Sequence, residues 1–147
     1  MVTETRDRAA RLCALQADLL RCRACEEAGL LARANPIAGE QGLCKILLLG
    51  QAPGARSDVA GVPFAGPSGR VLEGWLRQAG FAPGALRRDV YLTSVTRCDP
   101  GRSRSGAGDR PPSPAERALC ARWWRAELAL LRPAVVLLAG KMAIAEY

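Results

Sequence analysis

Histidine is absent from this chain of 147 residues, and lysine is nearly so, with Lys45 and Lys141 as its sole representatives. The side chain that most often moves protons near neutral pH and binds zinc through nitrogen is therefore missing. Acid–base chemistry and metal binding fall to carboxylates, amides, hydroxyls and thiols. Aromatic residues make up only 5%. Long apolar runs are missing too: "ILLLG" and "AVVLLAG" are far too short to cross a bilayer. The N-terminus "MVTETRDRAARL" is charged and amphipathic rather than a secretory leader, so a cytoplasmic protein is expected, with no membrane partner. No Gly-Lys-[Ser/Thr] follows a glycine-rich turn, and no GxGxxG occurs, which sets aside the P-loop and the dinucleotide fingerprint. There is no internal repeat.

What the chain does have is arginine. The net charge is +7, and nearly all its positive charge is guanidinium, a group suited to bidentate contact with phosphate. A nucleic-acid partner fits that charge, and so does a G+C-rich genome that inflates Arg and Ala.

Elements alternate along the chain. Leu12, Leu15 and Leu19 repeat with helical spacing and predict an amphipathic helix from about Arg6 to Arg21, followed by a loop holding Cys22 and Cys25. Lys45 to Leu49 reads as a parallel strand buried on both faces. Ser68 is placed to cap a helix running to about Ala79, with Val71, Leu72, Trp75 and Leu76 on one face. Val90 to Val95 alternates like a strand, and the basic, glycine-rich "DPGRSRSGAGDRPP" follows as a long loop. "SPAE", from Ser113 to Glu116, is a capping box with Pro114 at the first helical position, opening a helix to about Leu131. Ala134 to Ala139 is a third strand. The order predicts one α/β domain, a three-layer sandwich around a central, mostly parallel sheet, with ligands at the carboxyl ends of its strands.

The stretch "GQAPGARSDVAGVPFAGPSG", from Gly50 to Gly69, leaves the first strand at that end. Glycines there let main-chain N–H groups approach a ligand closely, so the turn reads as a ligand-binding loop. Six cysteines in a cytosolic chain read as metal or redox ligands before disulfides. Cys22, Cys25, Cys98 and Cys120 could meet in a βα unit, and four thiolates suit tetrahedral zinc or a 4Fe-4S cluster alike. Cys13 and Cys44 have no partner at ligand spacing and read as small, buried apolar residues.

Taken together, Cys22-x-x-Cys25, "LLLGQAPG", "GVPFAGPSG", "VYLTSVTRC" with Cys98 and "PSPAERALC" with Cys120 resemble the family 4 uracil-DNA glycosylases, the 4Fe-4S branch of their superfamily, from about Leu20 to Gly140. The resemblance implies that the four cysteines hold a structural 4Fe-4S cluster. It implies a DNA-repair enzyme, monomeric, that flips uracil or a related deaminated base out of single- or double-stranded DNA and hydrolyses its N-glycosidic bond. Phe64 would stack on the base. Gly50, Gln51 and Ser94 would bind the base, with Gln51 and Ser94 taking the catalytic positions. Ser68, Gly69, Arg102, Arg104 and Arg110 would hold the DNA backbone.

Three departures accompany the resemblance. The family commonly has a carboxylate where Gln51 stands, an Asn where Ser94 stands, and a His-containing motif near the C-terminus. The expectation is a domain lacking its last strand and that motif, with weak activity or none, and with "AVVLLA" as an apolar sheet edge. Two other classes stay in view: a catalytically silent iron–sulfur domain that binds nucleic acid, and a zinc-stabilised nucleotide-binding or interaction domain.

Overall fold

The computed structural model describes residues 1–147. Three strands, β1 (Ile46–Gly50), β2 (Val90–Ser94) and β3 (Val135–Leu138), form one parallel sheet in the order β2-β1-β3. Parallel neighbours need crossovers, and the helices supply them: α4 (Pro67–Gln78) and the short α5 (Ala85–Arg88) lie between β1 and β2, α6 (Pro114–Leu131) between β2 and β3. The N-terminal α1 (Val2–Leu20) packs along α6. Layers on both faces bury β1 and β2 almost completely, which is why "ILLLG" and "VYLTS" lack a solvent-facing side.

Alternation along the strands divides the core in two. Leu47, Leu49 and Tyr91 face Leu12 of α1 and Trp124 and Leu131 of α6. Leu48, Val90 and Leu92 face Leu86 of α5, with Leu72, Leu76 and Phe64 packed against them. The capping box at Ser113 forms as its sequence predicts: Glu116 N–H donates to Ser113 Oγ at 3.2 Å, and Ser113 N–H to Glu116 Oε2 at 2.6 Å. At its other end α6 stops on Arg132 in the left-handed region, and Arg8 of α1 donates to the free carbonyls of Leu130 and Leu131, both at 2.8 Å.

Several expectations need correcting. Helix α4 begins at Pro67 with Gly66 as its N-cap, so Ser68 lies inside the first turn and caps nothing. Val71 and Trp75 are exposed, because α5 and the sheet take only the Leu72 and Leu76 side of α4. Cys25 sits in a short helix, α2 (Ala24–Glu27), rather than a loop, and the Gly/Pro stretch contains a further one, α3 (Ala55–Ala60). A last helix, α7 (Lys141–Glu146), buries Ala143 against β1. Cys13 is exposed on α1, while Cys44 is half-buried against the core. No helix is long and apolar enough to cross a membrane. β3 is a sheet edge, and its Val135 and Leu137 are exposed.

Candidate active site and cysteine centre

The carboxyl ends of β1 and β2 lie side by side, with Gly50 and Ser94 paired in register. Both belong to the set of positions on the α4–α5 face of the sheet, continuing Leu48 and Leu92. Phe64 is brought to this point by the Gly/Pro loop. A Cβ on Gly50 would lie 2.6 Å from Phe64 Cζ, so the ring rests directly on the glycine and nothing larger fits beneath it. Phe64 adopts φ 54°, a left-handed conformation that costs a residue with a Cβ of the order of 1 kcal/mol or more. Arg87 holds it there by donating to the carbonyls of Pro63 at 2.6 Å and Phe64 at 2.9 Å. Gly69 is buried for the same purpose: a Cβ there would fall 2.0 Å from the Phe64 carbonyl oxygen.

Gln51 follows Gly50 at the mouth and is exposed, while Ser94 is buried. Main-chain bonds fix the junction: Val95 N–H donates to the Gly50 carbonyl at 2.9 Å and Thr96 N–H to that of Gln51 at 3.2 Å. The ends of the two strands thus carry a half-buried aromatic ring, a buried hydroxyl and an exposed amide within one short stretch of backbone.

A cleft of about 350 Å³ opens beside this mouth, lined by Arg56, Ser57, Ser68, Arg102 and Asp109 among others. Its outer wall is the basic loop, which folds back on itself through an antiparallel bridge between Arg102 and Asp109. Arg102 and Arg104 are exposed. Arg110 and Gly69 are not placed as the sequence reading expects. The Arg110 guanidinium is half-buried and taken by the buried Glu116, at 2.8 and 2.6 Å, so it is not free to grip a phosphate. The Gly69 N–H is spent on the Gly66 carbonyl at 3.2 Å.

Behind β2, Cys25, Cys98 and Cys120 line one small cavity with Thr96 and Glu116. Cys22 stands close enough for its charge to act on Cys25 and Cys98. Burial pushes the Cys98 thiol up to about 11 and the Cys120 thiol up to about 12. Main-chain N–H groups oppose that rise, Asn35 at Cys98 and Arg97 at Cys120. At Cys22 the donor is a side chain: Arg122 Nη2 lies 3.7 Å from Sγ, with its guanidinium over the Trp123 ring at 4.5 Å. Thr96 Oγ1 is buried and has no hydrogen-bond partner. No group of three or more Cys, Asp or Glu side chains is placed to hold a single metal ion.

One feature escaped the sequence reading. Glu127 of α6 is fully buried and paired with Arg97, which is 1% exposed; the two make bonds of 2.9 and 2.6 Å. Tyr91 and Thr93 donate to the same carboxylate at 2.9 and 2.6 Å, and Gln16 donates to the Tyr91 hydroxyl at 3.2 Å. The Arg97 Nε–H also reaches the Ile37 carbonyl at 3.1 Å. Its signal was there to read: Glu127 sits three residues after Trp124 and four before Leu131, on the core-facing stripe of α6.

Residues 38–147 match the family model of the uracil DNA glycosylase superfamily. The chain belongs to that superfamily. Curated relatives include the type-4 uracil-DNA glycosylase of Thermotoga maritima, 32% identical over 80% of this chain and 56% of the relative. That of Archaeoglobus fulgidus is 30% identical over 86% of this chain and 58% of its own. That of Saccharolobus solfataricus is 27% identical over 74% and 47%. The chain spans about half the length of the curated relatives it matches. In this superfamily member, the matched segment contains the strand ends, the Phe64 loop, and two of the four cysteines, Cys98 and Cys120.

Proposed function

We propose that this chain is a uracil-DNA glycosylase domain of the type-4 kind, acting on uracil or a related deaminated base extruded from DNA. The observation that carries the reading is the strained, Arg87-braced Phe64 ring set on Gly50 beside Ser94. A flipped base needs a rigid face to stack on and a polar group for its edge, and this corner offers both. The Gly50 and Gln51 backbone and the Ser94 hydroxyl are the groups within reach of the base. Ser68 and Arg102 line the cleft with Arg56 as the way in for the strand, and Arg104, exposed on the same basic loop, adds its charge. DNA is the partner on this reading.

Departure of the base leaves negative charge on uracil and positive character on the sugar, so the site must stabilise an anion and present a water. Gln51 can orient that water but has no basic group to take its proton. Loss of a positioned base costs about 10²–10⁴ in rate. The expected enzyme is therefore slow, with recognition better preserved than chemistry.

The four cysteines fit a 4Fe-4S cluster, a cofactor that would pin α1, the basic loop and α6 together and take no part in the reaction. The donor set is all thiol, and three of the four cysteines line one cavity with Thr96, whose buried hydroxyl has no partner. An absorbance spectrum and iron analysis of anaerobically purified protein test the cofactor. Uracil release from a deoxyuridine oligonucleotide, compared with a thymidine control and with Phe64→Ala, tests the activity; equal loss from both substrates would defeat it.

A further inference from the structure

Thr96 joins the two sites. Its N–H is committed to the Gln51 carbonyl, while the residue is part of the lining of the cysteine cavity and its Oγ1 is buried and unpartnered. Buried hydroxyls almost always find a partner, and one left without it is a cost to the fold unless something absent from the polypeptide accepts from it. The cavity it shares is lined by Cys25, Cys98 and Cys120 together with Leu31, Pro100 and Glu116, and no sulfur of the polypeptide alone is placed to accept from it. At the outer corner, Arg122 makes a charged N–H···S contact to Cys22 and is held in place by stacking on Trp123. The other two donors to ligand sulfurs, at Asn35 and Arg97, are main-chain groups that no substitution of their side chains removes.

We propose that Thr96 and Arg122 are the two side-chain hydrogen-bond donors to the iron–sulfur centre, Thr96 from the buried side and Arg122 from the solvent side, and that together they set its reduction potential. The inference rests on the cluster reading above. A hydrogen bond or positive charge at a cluster sulfur favours the state with the extra electron, so each donor raises the potential. Arg122 is exposed and screened, which makes Thr96 the larger contributor. They are positioning residues with respect to the centre, and neither takes part in releasing the base.

The test uses anaerobically purified holoprotein, with the potential measured by voltammetry and the reduced centre by electron paramagnetic resonance. Thr96→Val keeps the shape and removes the donor. It is expected to disfavour reduction about tenfold, which for one electron is a fall of about 59 mV. Thr96→Ser restores the wild-type potential, and Arg122→Gln lowers it by less than Thr96→Val. If the hydroxyl has no acceptor, Thr96→Val instead leaves the potential unchanged with full iron content, and the proposal is overturned. Should Thr96→Val fold but fail to retain iron, retention in Thr96→Ser upholds the donor role and loss in both overturns it. Wild-type protein without an iron–sulfur absorbance overturns the cofactor reading and this inference with it. A normal centre whose potential ignores Thr96 overturns this inference alone.

Discussion

Replacing Glu127 by Gln changes one oxygen to an amide nitrogen at the centre of the molecule. Four donors converge on that carboxylate: the Tyr91 and Thr93 hydroxyls and two nitrogens of Arg97. The amide can accept at one oxygen only, and its NH₂ would face groups that are themselves donors. More important, Arg97 keeps its charge in a site where its side chain is 2% exposed, and loses the charge opposite. Breaking a buried pair from one side costs about 3–5 kcal/mol. Against a typical total of roughly 5–15 kcal/mol for a domain, that removes from about a fifth of the stability to all of it. Urea unfolding followed by circular dichroism gives the number, provided the slope with denaturant is unchanged. Because Arg97 precedes Cys98 and its N–H serves Cys120, iron retention should fall in parallel. The paired change Glu127→Leu with Arg97→Met should recover most of the loss, since no charge is then stranded. A Glu127→Gln protein within about 1 kcal/mol of wild type would refute the argument, because the cost of a stranded buried charge cannot be that small.

Three further outcomes are expected. Replacing Arg102 and Arg104 together by Ala should weaken binding to all DNA sequences alike and reduce the slope of log K against log salt by about two, whereas Arg110→Ala should leave the slope unchanged; filter binding across a salt series measures both. Gly50→Ala should dislodge the Phe64 ring, since its Cβ would sit 2.6 Å from Cζ; overpacking of this kind costs about 1–3 kcal/mol, and preference for deoxyuridine over thymidine in DNA binding should vanish even where the protein stays folded. Glu116 is held below the usual carboxylate range first by its hydrogen bond from Arg110 and then by the Ser113 N–H. A depressed carboxylate stabilises the fold above its unfolded value near 4.3 and loses that contribution as pH falls through its folded value, so Glu116→Gln should flatten the decline in urea stability of wild type below about pH 4.3.

Element type was legible where period and end signals agreed. β1 is marked by an unbroken apolar run ending in turn residues, β2 by its alternation and α6 by its capping box, and the structure departs from the expected ends by a residue or so. Helix α4 was placed correctly, but its buried face was not, because which stripe of a helix is covered depends on how far its neighbours extend. The short helices α2, α3, α5 and α7 are four to six residues long and owe their formation to packing and to glycine turns, so no periodicity announces them. The convergence of Gly50, Phe64 and Ser94 followed from the strand-end rule and the resemblance together. Arg110 shows the opposite case: local charge marked it as a DNA contact, and a carboxylate six residues onward claims it. Glu127 is visible in the sequence only as a polar interruption in an apolar stripe, a signal that gains meaning once Arg97 is found paired with it.

The most direct test of the account is single-turnover release of uracil from an oligonucleotide carrying one deoxyuridine, by the wild-type chain, by Gln51→Glu and by Phe64→Ala. Gln51→Glu places a proton acceptor where an amide now only orients the water, and a positioned base is worth about 10²–10⁴ in rate. The account predicts slow uracil release by wild type, faster release by Gln51→Glu, and none above background once Phe64 is truncated. No uracil released by either of the first two proteins, or release indifferent to Phe64, would contradict the claim that the ends of β1 and β2 hold and cleave a flipped uracil nucleotide.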